Sequence, residues 1–265
     1  MKIRFPLLTF ASIFGVIAFT WPLYFPSQSI PGISQSFLNP TSAKWFALII
    51  AAAAIALVAI EINRGLLDSK SVALLGVLTA LVAALRLIGA GAIGVEPIWF
   101  LIILAARVFG ARFGFSLGAL SLGLSALLTG GIGPWLPFQM IAAAWIGAGA
   151  GLLPKRFRGK SELLALVLYA IFAAAFFGVA MDLQLWPWIA GSDSQLSFIP
   201  GGEVSANLDR FLVFHFATAM AWDIPRAIFT SALILVTAKP VLGSLRRANL
   251  KLNPISRAIA QTVAS

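Results

Sequence analysis

The chain contains no cysteine and a single histidine, His215, which excludes several kinds of site. Without cysteine there is no disulfide, no thiolate metal site and no cysteine nucleophile, and one histidine cannot form a clustered histidine metal site. Charged residues are also scarce, at 11% of the 265 residues, whereas 60% are hydrophobic and the mean hydropathy is +0.96. Because a soluble domain is about one-quarter charged, this composition indicates a protein embedded in a membrane.

Familiar catalytic motifs are missing as well. The sequence has no Walker A glycine loop ending in lysine, so the chain does not itself hydrolyse ATP. It also lacks HExxH, GxSxG and the paired aspartates of membrane enzymes. These gaps disfavour an enzymatic function.

Eight apolar stretches are long enough, or nearly so, to cross a membrane as helices of about 20 residues. They cover residues 5–24, 44–60, 71–89, 97–109, 113–129, 137–153, 161–181 and 210–238. The fourth is short enough to tilt little or to enter the membrane only partway. None alternates as a barrel strand does, and a helix satisfies its own backbone in lipid. We therefore predict an all-α, polytopic membrane helical bundle.

The positive charges predict the topology. With the N-terminus inside, the cytoplasmic connections hold the cations around residues 2–4, 64–70, 107–112 and 155–160, and the tail holds more. The opposite connections hold mainly carboxylates, such as Glu96, Asp182 and Asp209. This positive-inside pattern places both termini in the cytoplasm of a cell-membrane protein. It also accounts for the net charge of +10 without a nucleic-acid partner.

The first apolar run follows a basic start and has two interpretations, an uncleaved helix or a secretory signal. The sequence Trp21-Pro-Leu-Tyr-Phe-Pro after it is too bulky for a small-x-small cleavage site, which favours the uncleaved helix. Cleavage would leave seven spans.

Three regions are predicted along the chain. Residues 1–70 hold two N-terminal membrane helices with their loops, residues 71–239 form a six-helix core, and residues 240–265 form a basic cytoplasmic tail. From Leu242 onward the tail is weakly amphipathic. It either lies on the anionic inner leaflet or is a solvated topology signal.

Ionisable side chains within membrane helices are costly, so each suggests a function. Arg86, near the outer end of the third span, has three candidate roles: snorkelling to the interface, pairing with Glu96, or contacting a ligand. In the last span Asp223 and Arg226 have the spacing of a structural ion pair, beside a kink expected at Pro225. The pair is a helix lock, a ligand floor or a coupling element, and the lock is favoured.

The stretch TGGIGPWLPFQM, residues 129–140, joins two core spans on the outer side. Its glycines permit a close turn, and Pro137 suits the first turn of the next helix. Trp135 then points to a ligand or to lipid headgroups, with Gln139 about one turn further on. We interpret the stretch as the lip and wall of a pocket, with interface anchoring as the alternative.

Four motifs follow one another through the core: the glycine-rich loop IGAGAIGVE, the turn ARVFG, the segment GIGPWLPFQM and the segment WDIPRA. In this order and spacing they resemble the substrate-binding S component of energy-coupling factor (ECF) vitamin transporters, and they are similar to one actinobacterial branch. The resemblance covers about two-thirds of the chain. It implies six core helices around a small-molecule site near the outer face, without enzymatic activity. It also implies a separate transmembrane coupling subunit, the T component, and two cytoplasmic ATPases as partners. No cofactor, metal or nucleic acid is expected.

Members of the family bind their ligands at outer helix ends and in odd-numbered core loops. The resemblance therefore implies eight candidate binding residues, Arg86, Glu96, Trp99, Trp135, Gln139, Trp186, Trp188 and His215. Aromatic walls with a few converging polar groups are typical of such sites, although tryptophan also anchors helices at membrane interfaces. Small residues that contact the coupling subunit map to Ala73, Ala80 and Ala84, with Val77 as a departure from the small-residue row.

The tryptophans and the long segment 182–209 favour a large, flat, partly apolar ligand such as cobalamin or a corrinoid precursor. Riboflavin, biotin and thiamine stay open. The alternative function is a membrane enzyme or assembly factor that acts on a lipid-like substrate through His215, Asp223 and Arg226.

Overall fold

The computed structural model of the chain describes residues 6–24, 69–89, 93–189, 196–199 and 202–252, with scattered helical positions between 45 and 60. The described residues form helices and no strand. The helices are α1 (Pro6–Tyr24), α2 (Ser69–Ile88), α3 (Ile98–Phe109), α4 (Ala111–Thr129), α5 (Leu136–Leu152), α6 (Lys160–Ile189), α7 (Val204–Thr218) and α8 (Met220–Leu252). The prediction of an all-α helical bundle is confirmed. Most of the predicted span 44–60, and the tail beyond residue 252, lie outside the described residues.

Four helices, α2, α4, α6 and α8, are long and apolar enough to cross a membrane, and the other apolar helices are shorter. The shortest of these is α3, with 12 residues, which is roughly 18 Å of helix against a hydrocarbon core of about 30 Å. Residues 101–106 of α3 are all buried. Neighbouring helices rather than lipid therefore surround α3, and it need not span the hydrocarbon core.

Helices α4 and α5 touch backbone to backbone. A Cβ added at Gly147 would overlap the carbonyl of Gly114, and one at Gly118 would overlap the carbonyl of Ala143. A Cβ at Gly151 would likewise overlap the backbone at Ala111. Small residues permit this approach in membranes, where close van der Waals packing holds helices together.

Helix α1 packs against the core along one face. Its Ala11 and Ala18 are buried, and the Nε1 of Trp145 on α5 donates a 3.0 Å hydrogen bond to Ser12 Oγ. The ring of Phe19 meets that of Phe138 on α5 at 5.2 Å between centroids. The N-terminal addition predicted from the sequence is thus in direct contact with α5.

The last predicted span, residues 210–238, is not one helix. α7 ends at Thr218 and α8 begins at Met220, so the break stands at Ala219, upstream of the kink expected at Pro225. α6 runs to Ile189 rather than ending at residue 181, which places Asp182 on a helix instead of in a loop. Apolar residues continue across both positions, and hydropathy alone therefore could not locate the helix ends.

The bundle has two chemically different ends. At one end α2, α4 and α6 finish while α3 and α5 begin, and we call it the site end. At the other, the basic end, lie the α3–α4 and α5–α6 connections and the last turns of α8. Leu242 and Leu245 are buried there, so the boundary predicted at residue 240 falls inside α8. A membrane-surface tail stays a prediction for residues 253–265, outside the described part.

Candidate functional site

Arg226, in the first turns of α8, joins two carboxylates that are distant in the sequence. Its Nε donates to Glu96 Oε2 at 2.7 Å, and its Nη1 donates to Asp223 Oδ1 at 2.5 Å. The guanidinium also lies over the ring of Phe177, 5.0 Å from the centroid. Only 7% of the Arg226 side chain is exposed. Two carboxylates and an aromatic face together offset the cost of burying this cation.

Two glycines make this arrangement possible. Gly94 has φ +67°, and a Cβ added to it would lie 2.5 Å from the Trp222 carbonyl. The connection before α3 therefore rests directly on α8 and carries Glu96 to Arg226. On α6, a Cβ at Gly178 would overlap the carboxylate of Asp223. That carboxylate fits between α6 and α8 because position 178 has no side chain.

Trp99, on the first turn of α3, positions the Glu96 carboxylate. Its Nε1 donates to Glu96 Oε2 at 2.6 Å, its ring lies 4.6 Å from that of Phe177, and only 2% of the residue is exposed. Trp99 therefore holds Glu96 in place through a hydrogen bond that a buried indole requires.

A second acid–base contact adjoins the first. His215 Nδ1 on α7 lies 2.9 Å from Asp182 Oδ2 on α6, and Thr218 Oγ1 donates to the same oxygen at 3.4 Å. Both side chains are largely buried, with 6% of His215 and 13% of Asp182 exposed. Asp182 also interacts electrostatically with Arg226, which joins the two contacts into one group. We call Glu96, Asp182, His215, Asp223 and Arg226 the charge cluster.

Arg86 forms a second polar group with side chains of α4 and α5. Its Nη1 donates to Ser125 Oγ on α4 at 2.8 Å, and its Nη2 donates to Gln139 Oε1 on α5 at 3.3 Å. Of the arginines at this end, Arg226 is the one whose hydrogen bond to Glu96 the structure shows, whereas the hydrogen bonds of Arg86 go to Ser125 and Gln139. Arg86 still interacts electrostatically with Glu96.

The charge cluster is rich in acceptors. It holds three carboxylates against one arginine and one histidine, and Asp223 Oδ2 is buried with no hydrogen-bond partner among the described atoms. A buried carboxylate oxygen without a partner is costly. The cluster therefore keeps one unused acceptor oxygen, on Asp223 between α6 and α8, and it locks α3, α6, α7 and α8 together.

The remaining candidate residues have other partners. Trp135 is 43% exposed and donates to the Gly131 carbonyl at 3.3 Å. Trp186 is fully buried, donates to the Leu196 carbonyl at 2.7 Å, and packs on Phe211. Trp188 lies on the last turn of α6, and its side chain is outside the described part of the structure.

Sequence reasoning missed three members of the site, Ser125, Gly178 and Asp182. Asp182 was assigned to an outer loop, yet the apolar run LQLWPWI after it is a signal that the helix continues. Gly178 and Asp182 then fall one turn apart on one face. Nothing local distinguishes Ser125 from the other serines of α4. Over the part of the chain that the structure describes, no group of three or more His, Asp or Glu side chains can hold a metal ion.

Comparison with known proteins gives one family. The family described as ECF transporter, substrate-specific component, matches residues 70–241. The match covers about two-thirds of the chain and contains every member of the charge cluster, together with Arg86, Ser125 and Gln139. No curated protein and no solved structure matches the chain.

Proposed function

The chain belongs to the family of ECF transporter substrate-specific components, and from that membership we propose that the charge cluster and the Arg86 group form its substrate-binding site. The chain is a multi-pass membrane protein and the substrate-binding subunit of an ECF importer. Its family implies a T component and ATPases as partners and a small molecule as ligand.

The observation that carries the proposal is the unpartnered Asp223 oxygen inside a buried set of charges. Four elements, α3 with its preceding connection, α6, α7 and α8, contribute side chains to this set. Polar groups that converge inside a membrane protein typically bind a substrate or an ion. By the positive-inside pattern the site end faces outward and both termini are cytoplasmic, as capture from outside requires.

For the ligand we propose a vitamin or related micronutrient, with cobalamin or a corrinoid precursor as the first candidate. The surplus of carboxylates favours a molecule with several hydrogen-bond donors or a positive charge. A corrinoid supplies donors through its side-chain amides, and thiamine supplies a cation. Because Trp186 is fully buried, the support that the tryptophans lend to a large flat ligand rests on Trp135 and Trp188.

The alternative of a membrane enzyme acting on a lipid-like substrate is not favoured. It requires His215, Asp223 and Arg226 to act on one substrate atom. In the structure His215 bonds to Asp182, whereas Arg226 bonds to Asp223 and Glu96. Members of this family are transporter subunits rather than enzymes.

The test is to purify the detergent-solubilised chain and to identify co-purifying small molecules by mass spectrometry. We expect a retained corrinoid or another vitamin in the wild type and at least tenfold less of it in Asp223→Asn. Asp209→Asn is the matched control, because it removes the same charge from an exposed position on α7. Equal retention of the ligand by the wild type and by Asp223→Asn would show that the charge cluster is not part of the binding site.

We also propose that α2 carries the surface for the coupling subunit. Ala73, Val77, Ala80 and Ala84 are all exposed, and a Cβ at Gly76 would meet nothing within 4 Å. α2 therefore presents a face of mostly small residues that no described helix covers, and such faces let a second helix approach closely.

A further inference from the structure

A cavity of about 460 Å³ lies at the basic end, away from the charge cluster. It is formed where the end of α3, the α5–α6 connection, the start of α6 and the last turns of α8 meet. Its polar lining consists of Arg107, Lys155, Arg158, Glu162, Arg246 and Asn249. Neither the sequence motifs nor the family match assigns a role to it.

One wall of the cavity is fixed by a buried ion pair. Arg107 Nε donates to Glu162 Oε1 at 2.7 Å, with 7% and 6% of the two side chains exposed. The other guanidinium nitrogens of Arg107 donate to the carbonyls of Leu153, Pro154 and Phe157 at 2.8, 3.3 and 3.0 Å. These hydrogen bonds fix the conformation of the α5–α6 connection, and they therefore give this wall of the cavity a defined shape.

The cations outnumber the carboxylates in this cavity. Four cationic side chains and one carboxylate line it, which leaves an excess of three positive charges. Arg246 Nη2 donates to both carboxylate oxygens of Glu162, at 2.7 Å each. The Arg246 side chain is nevertheless 52% exposed. Lys155 and Arg158 are exposed, and neither has a carboxylate partner among the residues described here. The side-chain nitrogens of Lys155 and Arg158, and the remaining nitrogens of Arg246, can therefore donate hydrogen bonds to an anion.

The cavity stands at the level of the membrane boundary. On α6, Leu164 and Leu168 are 59% and 57% exposed, and Leu164 begins the lipid-accessible apolar surface only about 3 Å along the axis from Glu162. Leu152, at the end of α5, is 73% exposed. A cationic cavity at this depth lies where phospholipid headgroups lie.

We propose that this cavity binds the phosphate of an anionic phospholipid headgroup from the cytoplasmic leaflet. Arg246, Arg158 and Lys155 would donate to the phosphate oxygens, since arginine and lysine form strong charge-assisted hydrogen bonds with phosphate. Basic cavities between membrane helices on the cytoplasmic side suit anionic headgroups. The headgroup would link the α5–α6 connection to α8 at the end opposite the substrate site.

The test uses the full-length chain in detergent, with lipid binding measured by native mass spectrometry. We expect retention of phosphatidylglycerol but not of phosphatidylcholine, and at least tenfold weaker phosphatidylglycerol binding by the double variant Lys155→Gln/Arg158→Gln. Lys70→Gln/Lys239→Gln is the matched control, because it removes two exposed cations that do not line the cavity. Circular dichroism melting establishes that each variant is folded, and Arg158→Gln alone should show part of the loss.

Three outcomes would overturn the proposal. An equal loss in both double variants would show general charge attraction instead of a site. Displacement of the lipid by millimolar inorganic phosphate, with phosphate binding in the absence of lipid, would identify a free-anion site. Loss of coupling-subunit assembly in Lys155→Gln/Arg158→Gln, with lipid binding unchanged, would identify a protein-docking surface.

Discussion

At the scale of single residues, Arg226 determines how the site end is arranged. It is the only arginine that the described structure places between Glu96 and Asp223, and its side chain is 7% exposed. An arginine can serve both carboxylates at once because its planar guanidinium presents several donors in fixed directions. A variant that separates stability from binding distinguishes a helix lock from a ligand floor.

Arg226→Met should destabilise the chain by about 3–5 kcal/mol, because Glu96 and Asp223 would be buried without a counter-charge. Asp223→Leu/Arg226→Met should recover part of this loss, since one of those carboxylates is then removed. Melting followed by circular dichroism in detergent measures both, with the exposed Lys239→Met as control. If the double variant regains stability and also retains ligand, the pair is only a lock.

Gly178→Ala should lower stability by about 1–3 kcal/mol, because the new Cβ overlaps the Asp223 carboxylate and the packed interior cannot give way. Gly76→Ala is the matched control: its Cβ meets nothing within 4 Å, and alanine should stabilise an exposed helix by up to about 1 kcal/mol. Opposite shifts in melting temperature are expected. A shift in the same direction for both variants would contradict the contact of Gly178 with Asp223.

At the scale of helices, the close contact of α4 and α5 positions the Arg86 group. Ser125 on α4 and Gln139 on α5 receive the hydrogen bonds of Arg86, so their separation fixes its position. Gly114 and Gly147 bring the two backbones into contact. A change far from the site that moves these helices apart should therefore alter it.

Gly147→Ala should force α4 and α5 apart, since its Cβ overlaps the backbone carbonyl of Gly114, which has no rotamer to change. We expect a loss of about 1–3 kcal/mol and weaker ligand retention. In Gly123→Ala the new Cβ meets only the flexible end of Met140, at 3.0 Å, so a much smaller effect is expected. The two variants should be compared by melting and by retained ligand, and equal effects would argue against the close crossing.

At the scale of the whole molecule, α6 and α8 connect the two polar ends. α6 carries Glu162 at the basic end and Asp182 at the site end, and α8 carries Arg246 and Arg226 in the matching places. α8 has 33 residues, roughly 50 Å of helix, enough to cross the membrane and extend beyond it. On the edge of the bundle, no described helix covers the small-residue face of α2, which we propose as the surface for the coupling subunit.

Ala80→Trp should abolish or strongly reduce co-purification with the coupling subunit, because the indole would prevent close approach to the exposed face of α2. Val236→Trp on α8 is the control, since Val236 is 78% exposed on another helix. Both variants should melt as the wild type does. If Ala80→Trp still assembled with the coupling subunit, the contact surface would have to lie on a helix other than α2.

The sequence predicted much of the fold and some of the site. Apolar runs of roughly membrane-spanning length were sufficient to predict an all-α membrane bundle. The three-residue spacing of Asp223 and Arg226 was sufficient to suggest that they are neighbours on a helix. The helix boundary at Ala219 and the extension of α6 past residue 181 were missed, because hydropathy reports how apolar the side chains are and does not mark where a helix begins or ends. Asp182 was consequently assigned to a loop.

By itself the sequence determined the class of the protein, its helical composition and its family, because these depend on composition and on local patterns of a few residues. Only the tertiary structure decided which charges meet. Glu96 lies 130 positions before Arg226, and Asp182 lies 33 before His215, so no local spacing relates them. Gly94 lets the segment that carries Glu96 reach Arg226, and Gly178 makes room for the Asp223 carboxylate between α6 and α8. Such close approaches are a property of packing in three dimensions.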